Sequence, residues 1–133
     1  MSDQINVNAI ADTLNNKMDL DMGNLPANID YVVDSQLPTA ENNYTWYRLY
    51  KSGWVEQGVI KVGFATSVYT FNFPITMADT VYEVMTTVRD SLNTTAMAAK
   101  YNNETTTSVQ VRCSYQSSQI EGNIRVTGMS AQS

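Results

Sequence analysis

Thirteen carboxylates and eight basic side chains, with one cysteine and no histidine, set what this chain of 133 residues can do chemically. Without histidine, the commonest general base and the commonest transition-metal ligand are both missing. One thiol, Cys113, cannot form an intrachain disulfide or a zinc cluster within one chain. It alternates with Val109 and Val111 and reads as a core strand position. There is no Gly-x-Gly-x-x-Gly or Walker-type loop and no Gly-x-Ser-x-Gly elbow. One enzymatic class stays open. A glycosidase needs two carboxyls about 5–10 Å apart, one of them with a raised pKa. Glu56, Glu83, Asp90, Glu104 and Glu121 are the available groups, and none sits in a suggestive context. Asp19 and Asp21 could meet a metal on a three-fold axis, but a polar helix end explains them more simply. No catalytic residue, metal or cofactor is expected.

Stacking and hydrogen bonding remain. Trp46, Tyr47, Tyr50 and Trp54 flank one candidate hairpin. Such rings can stack on sugars. The simpler reading has Trp46 and Trp54 facing each other across the hairpin, supplying core or inter-subunit packing. Glu56 and Gln57 read likewise, as hydrogen-bonding groups to a neighbouring subunit or to backbone. Ligand contact is expected on loops, here Ser91 to Thr95, Tyr101 to Thr107 and Gln116 to Gln119. Tyr101, Asn102, Asn103 and Glu104 join an aromatic plate to amides, a combination that suits a saccharide, and Gln116 and Gln119 add two more amides. Ordinary solvated turns account for the same residues. Asn43-Tyr-Thr, Asn93-Thr-Thr and Asn103-Glu-Thr match glycosylation acceptors by chance, given so much Asn and Thr.

The elements that would carry these groups change character along the chain. In residues 1–28, Val7, Ile10, Leu14 and Met18 recur at helical spacing. The stripe covers about two heptads, and so short a helix is marginal alone. It either winds with identical chains, with Ile10 and Leu14 in the seam, or packs on its own domain. Gly23 and Pro26 end it. From residue 29 to 133 the signals are β: strands are expected over Ile29–Ser35, Thr45–Lys51, Trp54–Val62, Val68–Phe73, Thr80–Arg89, Thr106–Tyr115 and Ile120–Met129. Ala96–Tyr101 is ambiguous between helical turn and strand. Ser52-Gly53 closes a hairpin. The predicted class is all-β, an antiparallel β-sandwich preceded by a short helical or coiled-coil stem.

Composition narrows the partners. Only 16% of residues are charged, the net charge is −5, and the basic residues form no run. That argues against nucleic acid and against anionic membrane surfaces. No apolar run approaches the ~20 residues of a membrane span, so no membrane insertion is expected. Met1-Ser-Asp-Gln does not start a signal peptide, which points to synthesis in a cytosol and, if the protein acts outside a cell, release by lysis or within a particle.

The segments Asp30-Tyr-Val-Val-Asp-Ser35 and Trp46-Tyr-Arg-Leu-Tyr-Lys-Ser-Gly-Trp-Val-Glu-Gln-Gly58 resemble a C-terminal module of phage and prophage tail-fibre proteins. There, an aromatic strand ending in Lys-Ser-Gly precedes Trp-Val/Ile-Glu-Gln-Gly-Gly, and a strand with Phe-Pro often follows, as at Phe73-Pro74. Leu14-Asn-Asn-Lys-Met-Asp-Leu-Asp-Met-Gly-Asn-Leu25 resembles the connectors of fibre shafts. The likeness spans roughly residues 14 to 75. Val59 replaces the second glycine, Leu49 stands where a basic residue is frequent, and Arg125-Val-Thr-Gly-Met129 departs from the usual last strand. The resemblance implies a homotrimer at the virion fibre tip, joined to an upstream fibre or baseplate protein, attaching the particle to a bacterial surface glycan or protein without catalysis. A purely structural trimerisation cap and, less economically, a polysaccharide depolymerase are the alternatives.

Overall fold

A hairpin organises the molecule. β2 (Thr45–Tyr50) and β3 (Trp54–Gly63) pair antiparallel around the Lys51–Gly53 turn, where Gly53 takes a φ of 93° and donates its N–H to the Tyr50 carbonyl. That left-handed backbone is where glycine carries no steric penalty. A computed structural model of the chain describes residues 29–64, 68–90, 98–114 and 120–131. The stem, with Ile10 and Leu14, lies outside the described residues. The chain divides into two units, Met1–Asp30 and Tyr31–Ser133, and all the strands belong to the second.

Around the hairpin, β1 (Val32–Gln36), β8 (Ile120–Met129) and β5 (Glu83–Asp90) complete a five-stranded sheet in the order β1-β2-β3-β8-β5. β4 (Val68–Asn72), β7 (Ser108–Cys113) and β6 (Ala99–Asn102) form a second sheet in the order β4-β7-β6. Every strand pairing is antiparallel. Among the described residues there is no α-helix, so the body is all-β.

One core joins the two sheets. Val55, Val59 and Val62 of β3 and Ile120, Ile124 and Val126 of β8 meet Phe71 of β4 and Val109, Val111 and Cys113 of β7. Each fully enclosed aliphatic side chain contributes roughly 1.5–3 kcal/mol. Ile120, Gly122, Ile124, Val126 and Gly128 fall on one face, as their spacing predicts. Gln57 is the polar insertion, wholly buried. Its Nε2 donates to the Ile75 carbonyl and its Oε1 accepts the Ile75 N–H, both at 2.9 Å. The side-chain amide thus binds the segment after Pro74 as a neighbouring strand would, and leaves no buried group unpaired.

Several expected elements shift. The first strand begins at Val32, not Ile29, and Val32 to Ser35 are exposed, so the alternation there marks a bulged edge rather than a core face. The Thr80 strand begins at Glu83, because Asp79 Oδ1 takes the Val81 N–H and holds the preceding chain in a turn. Of the ambiguous segment, Ala99 to Tyr101 belong to β6, and Ala96 and Met97 lie outside the described residues.

The body has two distinct ends. At the basal end the Tyr31 carbonyl accepts the Lys51 N–H, Ser130 donates to the Gly53 carbonyl, and Ala131 to that of Thr76. The Asn103–Thr107 turn sits there too, since Phe73 and Met77 donate to the Thr107 and Thr106 carbonyls. At the far end Gly63 stands opposite Glu121 and Asp90 opposite Ile120, and Phe64 donates to the Ile120 carbonyl.

Candidate interaction surface

The two outer faces differ in chemistry. The outside of the three-stranded sheet is polar: Asn103 Nδ2 donates to Gln110 Oε1 at 2.7 Å, and Arg112 Nε donates to Asn102 Oδ1 at 3.1 Å. A solvated antiparallel face reads this way. The outside of the five-stranded sheet does not. Trp54, Ile60, Met85 and Met129 are 40%, 52%, 57% and 41% exposed there. Half-buried Trp46 lies among them, with the guanidinium carbons of Arg48 and Arg125 each 5.8 Å from its ring centroid. Depressions cross this face. One of about 670 Å³ is bordered by Trp46, Ile60, Met85 and Arg125 and extends to Tyr101 beyond the β5 edge. Another of about 710 Å³ lies between Trp54, Val81, Met85 and Met129.

Register explains the pattern. Trp46 stands opposite Gly58, whose missing side chain leaves room for the indole: a Cβ there would lie 3.1 Å from Trp46 Nε1. Trp54 stands opposite Met129. The two tryptophans share a face but do not face each other across the hairpin, contrary to expectation. Tyr47 points to the other side, packs against the core and donates to Asp34 Oδ2 at 3.1 Å. Burial, then the hydrogen bond and charge of Asp34, raise its phenol pKa.

Glu56 is held by two partners from its own chain. Oε2 receives Arg125 Nη2 at 2.6 Å and Oε1 receives the Tyr50 hydroxyl at 3.1 Å. Glu83 lies two strands away on the same face, through their common neighbour Thr127. Their backbones are thus about 10 Å apart, within reach of a glycosidase pair. Each Glu56 oxygen already accepts one hydrogen bond from its own chain, which favours a structural role for this carboxylate. Among the described residues no group of three or more His, Cys, Asp or Glu could hold a metal.

The expected receptor residues do not converge. Tyr101 and Asn102 alternate on β6, so the ring and the Asn102 amide point to opposite sides of the strand. Asn102 Oδ1 accepts from Arg112 and Asn103 Nδ2 donates to Gln110, Asn103 from a left-handed φ of 54°. Glu104 is exposed in the basal turn. Gln116 and Gln119 lie outside the described residues, and the strand ends that bound them, Ser114 and Ile120, are at the far end. What sequence reasoning missed is the bulge in β3. Val59 pairs with Ile124 and Val62 with Gly122, so Ile60 and Lys61 together oppose Asn123 and both turn outward. The unbroken apolar pair Val59-Ile60 was the available signal.

No protein-family model and no curated protein sequence matches the chain. Solved structures do share its fold. The C-terminal part, residues 323–691, of the R2 pyocin fibre of P. aeruginosa superimposes with a TM-score of 0.53 at 13% identity, over 73% of this chain and 26% of that one. An N-truncated R2-type pyocin tail fibre gives a TM-score of 0.52 at 14% identity, over 74% of this chain and 39% of that one. The chain therefore matches well under half the length of these fibre fragments, and what it shares with them is the fold.

Proposed function

We propose that this chain is the host-facing end module of a phage-type tail fibre, working as a homotrimer that attaches the particle to a bacterial surface saccharide or protein, without catalysis of its own. The observation that carries the reading is the apolar outer face of the five-stranded sheet, in a fold shared with pyocin fibre fragments. Large exposed apolar patches on a soluble protein mark contacts with partners. A second copy of the chain is the partner that fits best. Two basic groups, Arg48 and Arg125, balance two acidic ones, Glu56 and Glu83, on the part of this face around the two tryptophans, whereas the whole chain carries −5. Identical copies therefore meet through this face without the repulsion the rest of the molecule would impose. Trp54, Met129 and Met85 are the contact residues assigned to that association, with Trp46 at its margin; the stem of residues 1–28 adds its own seam. An upstream fibre or baseplate protein continues the assembly.

Light scattering on the full chain at micromolar concentration tests this. A trimer is expected, and a clean monomer would sink the reading. A structural cap is the second reading, favoured by one observation: Asn102 Oδ1 and Asn103 Nδ2 already hydrogen-bond to Arg112 and Gln110 within the chain. Binding of the isolated trimer to host cells separates the two. No binding to any susceptible strain leaves the cap.

A further inference from the structure

Tyr44 adopts a backbone that a bulky side chain rarely takes, with φ 59° directly after Asn43 at φ 57°. The strain is held in place. Asn42 Oδ1 accepts the N–H groups of Thr39 and Thr45, Tyr44 donates its own N–H to the Thr39 carbonyl at 2.7 Å, and its carbonyl accepts from Ile60. Such outliers concentrate at sites of function. The result is a phenol ring beside the Lys61 ammonium, 5.7 Å from the centroid. Among the described residues no carboxylate lies within ion-pair distance of Lys61.

Ring and ammonium line a groove of about 420 Å³ with Thr87, Arg89, Glu121 and Asn123. The β3 bulge brings Lys61 to this face, opposite Asn123. Thr87 Oγ1 donates to Asn123 Oδ1 at 2.7 Å, which fixes the amide and leaves its NH₂ to donate elsewhere. Arg89 approaches Glu121 only to 3.7 Å, with its side chain 71% exposed. The groove thus offers an aromatic plate and three donors, two of them cationic, against a single carboxylate. It lies at the far end, about 20 Å along β3 from Trp54, clear of the surface assigned to self-association.

We infer that the Tyr44–Lys61–Arg89–Asn123 groove binds a carboxylate-bearing saccharide, such as a uronic-acid unit of a bacterial surface polymer. The ring stacks on the sugar face, Lys61 and Arg89 hold the carboxylate, and Asn123 donates to a hydroxyl. The inference deepens the adhesion reading above and rests on it for the ligand class.

The test is titration of the full chain with an oligogalacturonate, followed by ligand-observed NMR, beside the same oligosaccharide with its carboxyls reduced. Weak binding of the acidic sugar is expected, lost on carboxyl reduction and weakened by about tenfold in Lys61→Gln, as for one charge-assisted hydrogen bond. Lys51→Gln, on the basal turn, should leave it unchanged. Absence of binding, equal binding of the reduced sugar, or no effect of Lys61→Gln would overturn the inference. So would a change of oligomeric state in Lys61→Gln, which would make the groove a subunit contact. Light scattering on the same samples keeps the two readings apart: a trimer that ignores the uronate sinks only the groove, and a monomer that binds it sinks only the fibre assembly.

Discussion

Gln57 performs with one side chain what an extra strand would do with backbone. Replacing it by leucine keeps the volume and strands two buried groups, the N–H and carbonyl of Ile75. At roughly 1–3 kcal/mol for each unsatisfied group, Gln57→Leu should lose about 2–6 kcal/mol, read as a lower urea midpoint with an unchanged slope. Tyr82 makes a second prediction. Its hydroxyl donates to the Thr105 and Ser108 carbonyls, and burial, then the charge of Glu104, push its pKa up to about 12. The folded state favours the neutral phenol, so this contribution is complete below the ordinary pKa of 10.0 and is lost as the pH rises towards about 12. The Tm of Tyr82→Phe should therefore fall less steeply than that of the parent between those values. The sequence placed Gln57 among hydrogen-bonding groups but could not choose between a neighbouring subunit and backbone. That choice depends on where the segment after Pro74 returns, eighteen residues away.

At the scale of strands, legibility followed the chemistry of each face. β8 was readable residue by residue because its inward positions are uniformly Ile, Val or Gly. The β2–β3 hairpin was readable from its turn. The outward side of that hairpin was not, because Trp46, Trp54 and Ile60 look like core residues and only the register reveals that they face outward. The bulge was equally hidden, since an extra residue in one strand is defined by its partner strand. Glycine substitutions test the close approach. A Cβ at Gly58 would lie 2.2 Å from the Ile124 carbonyl oxygen, whereas one at Gly63 meets nothing within 4 Å. Gly58→Ala should cost at least about 2 kcal/mol by overpacking. Gly63→Ala, on the same strand, should stay within about 0.5 kcal/mol of the parent. Equal melting temperatures for the two variants would refute the register of β3 against β8.

For the molecule as a whole, the asymmetry between its outer faces makes the proposed assembly testable in solution. An assembly held together by Trp54, Met85 and Met129 melts at a temperature that rises with protein concentration, because association stabilises only the folded chain. Trp54→Glu combined with Met85→Glu places two carboxylates on that face. The double variant should weaken the concentration dependence and shift the mass by light scattering towards the monomer, with the β signal in circular dichroism retained. The candidate receptor site was the least legible feature. Tyr101 to Glu104 carry suitable side chains, but alternation along β6 separates the ring from the Asn102 amide. Tyr44, Lys61, Arg89 and Asn123 come from four different strands or strand ends and have no common signature in the sequence.

Tyr31 and Ser130 are both tied to the Lys51–Gly53 turn, so the polypeptide comes in and goes out through one doorway. A body of this kind can be transplanted as a cartridge: spliced into a surface loop of an unrelated carrier, it would stand on two adjacent legs with its opposite pole unobstructed. It also follows that a purification handle joined downstream of Ala131 departs from the doorway side, away from Lys61, which makes that side the one to immobilise in binding measurements.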